Sequence, residues 1–107
     1  MDRPTAAVLH RLRTGSAITP AWIHRLHPDS DPNCEACDVP ADAEHLLLTC
    51  PEHDDERTAL LADFSRLGLP SSSLEELVRP RGPAPAKKKA LSALLTFLRD
   101  SGLLQLL

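Results

Sequence analysis

The chain has few aromatic residues and no long apolar run. Its 107 residues include two Phe, one Trp and no Tyr, and its apolar content comes mainly from Leu and Ala. Because strands favour aromatic and β-branched side chains whereas Leu and Ala favour helices, this composition predicts a mainly helical fold. No stretch of about 18 apolar residues occurs, so no transmembrane helix and no membrane association are expected. A chain of this length suits one domain with a modest core.

The sequence also lacks an excess of positive charge. Its formal net charge is −3, which argues against the tight, nonspecific nucleic-acid binding of strongly basic domains. The first ten residues, MDRPTAAVLH, do not show the basic and then apolar order of a secretory signal peptide. We therefore expect an intracellular, reducing compartment, either cytoplasm or nucleus, where clustered cysteines more often bind metal than form disulfides.

Apolar spacing and capping residues predict a series of short helices. They are expected over residues 2–13 with Asp2 as the cap, from Thr19 and Pro20 onward, over 44–48, from just after Cys50 to Gly68, around SLEE at 73–76, and over 87–99. Trp22, Ile23 and Leu26 form the apolar stripe of the second helix. Trp22 is therefore expected in the core, with base stacking as its alternative role.

All three cysteines lie within 17 residues, in the segment CEACDVPADAEHLLLTC. Cys34 and Cys37 form a Cys-x2-Cys knuckle, which is one half of a common structural zinc site, and Cys50 adds a third thiolate. Residues five apart on a continuous helix point about 140° away from each other. Pro51 breaks that helix, so the Cys50 sulfur can turn back toward His45. The spacing favours His45 as the fourth ligand and leaves His53 as the alternative.

Four protein ligands fill a tetrahedral coordination sphere, so the expected cofactor is one structural Zn²⁺ that contributes folding free energy. Unliganded cysteines and a catalytic Cys–His pair are the competing interpretations. Unliganded cysteines do not explain why all three cluster in a polar segment bounded by prolines, and nothing else in the sequence suggests the pocket or oxyanion site of a catalytic pair. We predict a small, mainly α, non-catalytic domain with a Cys3His zinc loop between helices. Its parts are a helical zinc-binding domain at 1–78, a Pro-rich connection at 79–86, and a C-terminal helix with an apolar tail at 87–107.

Several segments are similar to a known family in content and in order. They are RLRTG (11–15), IHRL (23–26), DSDPNCEAC (29–37), DAEHLLLTCP (42–51), Arg57 with the amphipathic helix that follows, and TFLRDSGLL (96–104). Together they resemble the zinc-binding segment that lies C-terminal to the reverse transcriptase in polyproteins of non-LTR (LINE-type) retrotransposons. The resemblance implies a Cys-Cys-His-Cys ligand set, which falls on Cys34, Cys37, His45 and Cys50. It also implies a non-catalytic module that engages template RNA or target DNA, since the chain is too short for a polymerase palm.

The candidate partners are RNA or DNA, and the parent reverse transcriptase domain. Arg11, Arg13 and Arg25 form the candidate nucleic-acid-binding set, and all three precede a zinc loop that is itself acidic. One alternative is a protein-interaction module that docks through its last leucines, namely Leu103, Leu104, Leu106 and Leu107. Another alternative is an inactive retroelement remnant. No small-molecule substrate is expected.

Overall fold

The computed structural model describes residues 3–107, and α-helices dominate this part of the chain. Six α-helices, named α1 to α6 in chain order, cover Arg3–Thr14, Pro20–Leu26, Asp54–Arg66, Leu74–Val78, Ala84–Asp100 and Leu103–Leu106. A π-helical turn at His45–Thr49 and a 3-10 turn at Pro51–His53 lie between α2 and α3. Within residues 3–107, strand-like pairing is limited to an isolated antiparallel bridge between Asn33 and Pro40. The mainly helical fold predicted from the composition is confirmed.

Local sequence signals place several helix ends where they were predicted. The Thr19 side-chain oxygen accepts a hydrogen bond from the Trp22 main-chain N–H at 3.2 Å and so caps α2. Gly15 and Gly68 follow α1 and α3 with φ angles of 76° and 71°, in the left-handed region that favours glycine. The predicted cap at Asp2 lies outside the described residues.

The last long helix begins earlier than predicted. Helix α5 starts at Ala84 rather than at Lys87, because Pro85 fits the first turn of a helix, where a main-chain N–H has no intrahelical partner. The irregular connection is therefore limited to residues 79–83. Helix α5 packs mainly against α3. One core unites these helices with α1 and α4; its buried members include Val8, Leu9, Leu12, Leu47, Leu60, Phe64, Leu77, Leu94, Phe97, Leu98, Leu103 and Leu107.

Helix α2 differs from the other five α-helices because none of its residues is buried. The prediction that Trp22 belongs to the core is wrong, since its side chain is only half-buried. The Arg25 guanidinium lies over the indole, 5.4 Å from the ring centroid. Ile23 and Leu26, the rest of the predicted stripe, are 37% and 62% exposed. An apolar stripe shows which residues share a helix face, but it does not show that another element covers that face.

The residues after α5 fold back onto the core. Leu103 and Leu107 are buried, whereas Leu106 is 52% exposed. The Arg11 Nε donates a hydrogen bond to the Leu107 carbonyl oxygen at 3.1 Å, which ties this segment to α1. In the part of the chain that the structure describes, no helix is both long enough and apolar enough to cross a bilayer.

Candidate metal centre

The loop after α2 folds into a tight turn that begins at Cys34. The Cys34 carbonyl oxygen accepts hydrogen bonds from the main-chain N–H groups of Cys37, at 3.3 Å, and Asp38, at 2.8 Å. The bridge between Asn33 and Pro40 closes the base of the turn. Asp38 adopts a left-handed conformation with φ of 54°. This turn supplies the two cysteines of the predicted Cys-x2-Cys knuckle as neighbouring side chains.

The left-handed conformation of Asp38 makes this turn sensitive to the residue at that position. We expect Asp38→Val to lower the free energy of unfolding by about 1–2 kcal/mol, because a β-branched residue is strained at positive φ. Asp38→Gly removes the same carboxylate without that strain, and we expect it to change stability by less than about 1 kcal/mol. Urea unfolding of both variants is the measurement. Equal stability of the two variants would contradict a backbone constraint at this position.

The other half of the cluster lies on the π-helical turn His45–Thr49. The Asp42 carboxylate accepts a hydrogen bond from the His45 main-chain N–H at 2.8 Å and starts the turn as predicted. The Cys50 N–H donates to the His45 carbonyl oxygen at 2.8 Å, a hydrogen bond that spans five residues. This wider turn brings Cys50 back over His45, although the two residues would point apart on an α-helix. Pro51 then ends the turn.

The four residues favoured as ligands lie together in the structure. The ligand atoms of Cys34, Cys37, His45 and Cys50 are all within 4.8 Å of one another. The sulfur atoms of Cys34 and Cys50 are 3.8 Å apart, and none of the three cysteines forms a disulfide. Cys34 and Cys50 are buried, while Cys37 and His45 are half-buried. This arrangement is compatible with a bound metal ion.

The alternative ligand, His53, belongs to a different group. It lies in the 3-10 turn Pro51–His53 and is within 4.8 Å of ligand atoms of Cys50 and Glu52. The group that unites all three cysteines contains His45 instead. The structure therefore assembles the three thiols around His45 rather than around His53.

The contacts of His45 suit a ring that carries its proton on Nδ1 and leaves Nε2 free. The Thr49 hydroxyl lies 3.1 Å from the His45 carbonyl oxygen and 3.0 Å from the His45 Nδ1. In the tautomer with the proton on Nδ1, both contacts are satisfied at once, because the hydroxyl donates its one proton to the carbonyl oxygen and accepts from Nδ1. The Nε2 is then unprotonated. It is also buried without a hydrogen-bond partner, the one side-chain atom of this kind in residues 3–107. A metal ion is the partner that suits such a lone pair.

Arg57 on α3 supports the π-helical turn through hydrogen bonds to its carbonyl oxygens. Its Nε donates to the Leu47 carbonyl oxygen at 2.9 Å. Its Nη2 donates to the carbonyl oxygens of Leu46, at 3.3 Å, and Cys50, at 2.7 Å. Its Nη1 contacts the Asp54 carboxylate at 2.6 Å. These carbonyls lie at the end of the turn, and the Cys50 oxygen also accepts the His53 main-chain N–H at 3.2 Å, so the buried guanidinium helps to fix the backbone at Cys50.

Burial and hydrogen bonds shift the pKa values of the three cysteines in different directions. Burial, with added contributions from the neighbouring sulfurs, raises the pKa of Cys37 to about 11. Burial also raises the pKa of Cys50. Burial acts against ionisation of Cys34 too, but hydrogen bonds from the main-chain N–H groups of Ala36 and Cys37 help to lower its pKa below the ordinary value. Cys34 is thus the most readily ionised of the three, and a bound cation would favour the thiolate form of all of them.

The three arginines predicted to contact nucleic acid lie in different surroundings. Arg11 and Arg13 are two residues apart on α1 and therefore point to different sides of the helix. Arg11 is half-buried against the Leu107 carbonyl, whereas Arg13 is exposed and donates from Nε to the Val78 carbonyl oxygen at 2.8 Å. Arg25 is exposed and lies over the indole ring on α2. The structure gives each of the three a different intramolecular contact.

Comparisons with known proteins do not identify a relative of this chain. Models of protein families, curated proteins and solved structures were all searched, and none of them matches. What the chain does must therefore be inferred from its own residues and from their arrangement.

Proposed function

We propose that Cys34, Cys37, His45 and Cys50 hold one structural zinc ion. Two thiolates bound to a tetrahedral zinc ion at about 2.3 Å each are about 3.8 Å apart. The sulfur atoms of Cys34 and Cys50 have a separation of 3.8 Å. The free Nε2 lone pair of His45 supports the fourth bond. Because four protein groups leave no position for water or substrate, such an ion would stabilise the fold and would not catalyse a reaction.

The small size of the apolar cluster around this loop explains why it would need the ion. Cys34, Ala41 and Cys50 form a buried group separate from the main core, with Cys37 packed against it. Helix α2, which precedes the loop, has no buried residue. Zinc would therefore join the knuckle to the π-helical turn and so position α2 relative to α3, and its binding free energy would be folding free energy.

The hydrogen bond from Thr49 to His45 predicts a measurable effect on metal affinity. We expect Thr49→Val to weaken zinc binding by about 10- to 100-fold, because the hydroxyl that orients the His45 ring is lost. Thr58→Val is the matched control, since its hydroxyl donates only to the Asp54 carbonyl oxygen on α3. Competition with a chromogenic chelator measures both affinities. Equal affinities in the two variants would contradict the role of Thr49.

We further propose that the chain is a non-catalytic module of a non-LTR retrotransposon reverse transcriptase, from the region C-terminal to the polymerase. In this role it would assist the engagement of template RNA or target DNA. The observation that carries the proposal is the cluster itself, because the four clustered side chains are the Cys-Cys-His-Cys set that the resemblance implies. Arg13 and Arg25 are exposed and available for phosphate contacts.

Metal analysis followed by nucleic-acid binding tests this function. We expect one zinc ion per purified chain and salt-dependent binding to single-stranded RNA or to DNA, because contacts to phosphates release counterions. Absence of zinc would refute the structural site. Zinc together with no binding to either nucleic acid would refute the role in template or target engagement.

A protein-docking function is the second candidate, and exposed apolar side chains favour it. Leu26 on α2 and Leu106 on α6 are 62% and 52% exposed. Leu103 and Leu107, which were also considered as docking residues, are buried within the chain. Sedimentation of the chain with the parent reverse transcriptase domain tests this candidate. Leu26→Ser and Leu106→Ser should weaken a complex if these residues form the contact.

A further inference from the structure

We propose that Arg13 and Arg79 together form a binding site for phosphate groups of a nucleic-acid backbone, which rests on the nucleic-acid part of the proposed function. Arg13 lies in the last turn of α1, and Arg79 directly follows α4. Although 66 residues separate them in sequence, Arg79 Nη2 lies 3.5 Å from the Arg13 carbonyl oxygen. The Arg13 Nε in turn donates to the carbonyl oxygen of Val78, the residue before Arg79, at 2.8 Å.

Both guanidinium groups keep most of their donors available. Each uses a single nitrogen on a main-chain carbonyl, and both residues are exposed. A carbonyl accepts a hydrogen bond but does not neutralise the charge. The ion pairs found within residues 3–107 involve other arginines, namely Arg57, Arg66 and Arg99. Among residues 3–107, two positive charges therefore lie at one junction without a carboxylate at ion-pair distance.

The ends of two helices hold these like charges in place. Arg13 donates to the last residue of α4, and Arg79 reaches a carbonyl in the last turn of α1. The C-terminal end of a helix carries partial negative charge, which favours nearby cations. An anion that binds here consequently meets two guanidinium groups that are already anchored near each other, and it relieves the repulsion between them.

The shape of the positive surface favours a phosphate chain over a single carboxylate. Arg3 is also exposed on α1, on the side next to Arg13. The helix rises about 15 Å from Arg3 to Arg13, a length that spans several phosphates of one strand. The planar guanidinium fork also matches the oxygens of a phosphate, to which it can donate two parallel hydrogen bonds.

The variant Arg13→Gln/Arg79→Gln tests this site in the zinc-loaded full chain. The probe is a fluorescein-labelled oligouridylate of about 20 nucleotides, and anisotropy is measured from about 50 to about 200 mM salt. We expect binding at low salt to weaken at least about tenfold. The plot of log affinity against log salt has a negative slope, and its magnitude should decrease by about 1.4, since each phosphate contact on a single strand contributes about 0.7. Arg13→Lys/Arg79→Lys keeps both charges and should keep the slope.

A charge-matched control separates this site from net charge. Arg66→Gln/Arg99→Gln also removes two exposed arginines, but each of these pairs with a neighbouring carboxylate. We expect it to weaken binding by less than about threefold. Thermal unfolding of every variant checks the fold. Arg79→Gln alone leaves the contact between Arg13 and α4 intact, so its expected slope decrease of about 0.7 can be tested even if the double variant unfolds.

Several outcomes would overturn the proposed phosphate site. Equal losses in the two glutamine double variants would mean that affinity follows net charge alone. Unchanged RNA binding in Arg13→Gln/Arg79→Gln would refute the site while leaving the proposed function intact, whereas a wild-type chain that binds neither RNA nor DNA would refute both. Competition by polyglutamate as strong as competition by unlabelled RNA would assign the arginine pair to acidic peptides instead.

Discussion

Removal of zinc by a chelator is expected to lower the midpoint of thermal unfolding by more than about 10 °C. The free energy of structural zinc binding, about 10–16 kcal/mol in small zinc-binding peptides, is folding free energy. Each 1 kcal/mol shifts the midpoint by about 4–8 °C in a domain of this size. Because α2 buries no residue and the loop has only a small apolar cluster, little else holds this region. Calorimetry before chelation, after chelation and after zinc is restored measures the effect. A midpoint that does not change on chelation would refute a structural role for the ion.

Histidine variants test which side chain completes the site. We expect His45→Ala to weaken zinc binding by more than about 100-fold, since even residues that only support a ligand cost about 10- to 100-fold. Cys37→Ser should have a comparable effect. His53→Ala should change the affinity by less than about threefold, because His53 is not in the group that unites the three cysteines. Chelator competition and zinc content per chain are the measurements. Equal loss of affinity in His45→Ala and His53→Ala would contradict the assignment of His45.

Cysteine spacing and Pro51 favoured the four side chains that the structure brings together, but left His53 as the alternative fourth ligand. The spacing could not show how they meet. On an α-helix, His45 and Cys50 would diverge, and the sequence suggested only that the chain breaks at Pro51. The structure instead widens the turn to a hydrogen bond over five residues. Residue spacing does not predict that pattern, nor the hydrogen bonds that Arg57 on α3 donates to carbonyl groups of the same turn.

Apolar periodicity was informative where a helix has a partner and misleading where it has none. Leu60 and Phe64 on α3 are buried as their spacing predicts. Trp22 and Leu26 on α2 have similar spacing, yet neither is buried in the core. The role of Arg57 was missed, although its position carried a signal. It lies three residues before Leu60 and seven before Phe64, and so shares the buried face of α3, where an arginine requires hydrogen-bond acceptors.

Arg57→Met is expected to lower the free energy of unfolding of the zinc-loaded protein by about 3–5 kcal/mol, since each buried carbonyl that loses its partner costs about 1–3 kcal/mol. Methionine fills much of the same space as the arginine stem but donates no hydrogen bond. The carbonyl oxygens of Leu46, Leu47 and Cys50 would then be left without this donor in a buried position. Urea unfolding measures the loss. Zinc affinity should also fall by about 10- to 100-fold, since the guanidinium fixes the backbone of a ligand.

Asp54→Asn separates the carbonyl contacts of Arg57 from its ion pair. The Asp54 side chain is 66% exposed, so solvent screens the pair, and we expect a loss of less than about 1 kcal/mol. Arg57→Lys should lose about 2 kcal/mol or more, because an ammonium group cannot reproduce the guanidinium fork that reaches several carbonyls at once. We expect stability to decrease in the order wild type, Asp54→Asn, Arg57→Lys, Arg57→Met. If Asp54→Asn were as unstable as Arg57→Met, the ion pair rather than the carbonyl contacts would account for the role of Arg57.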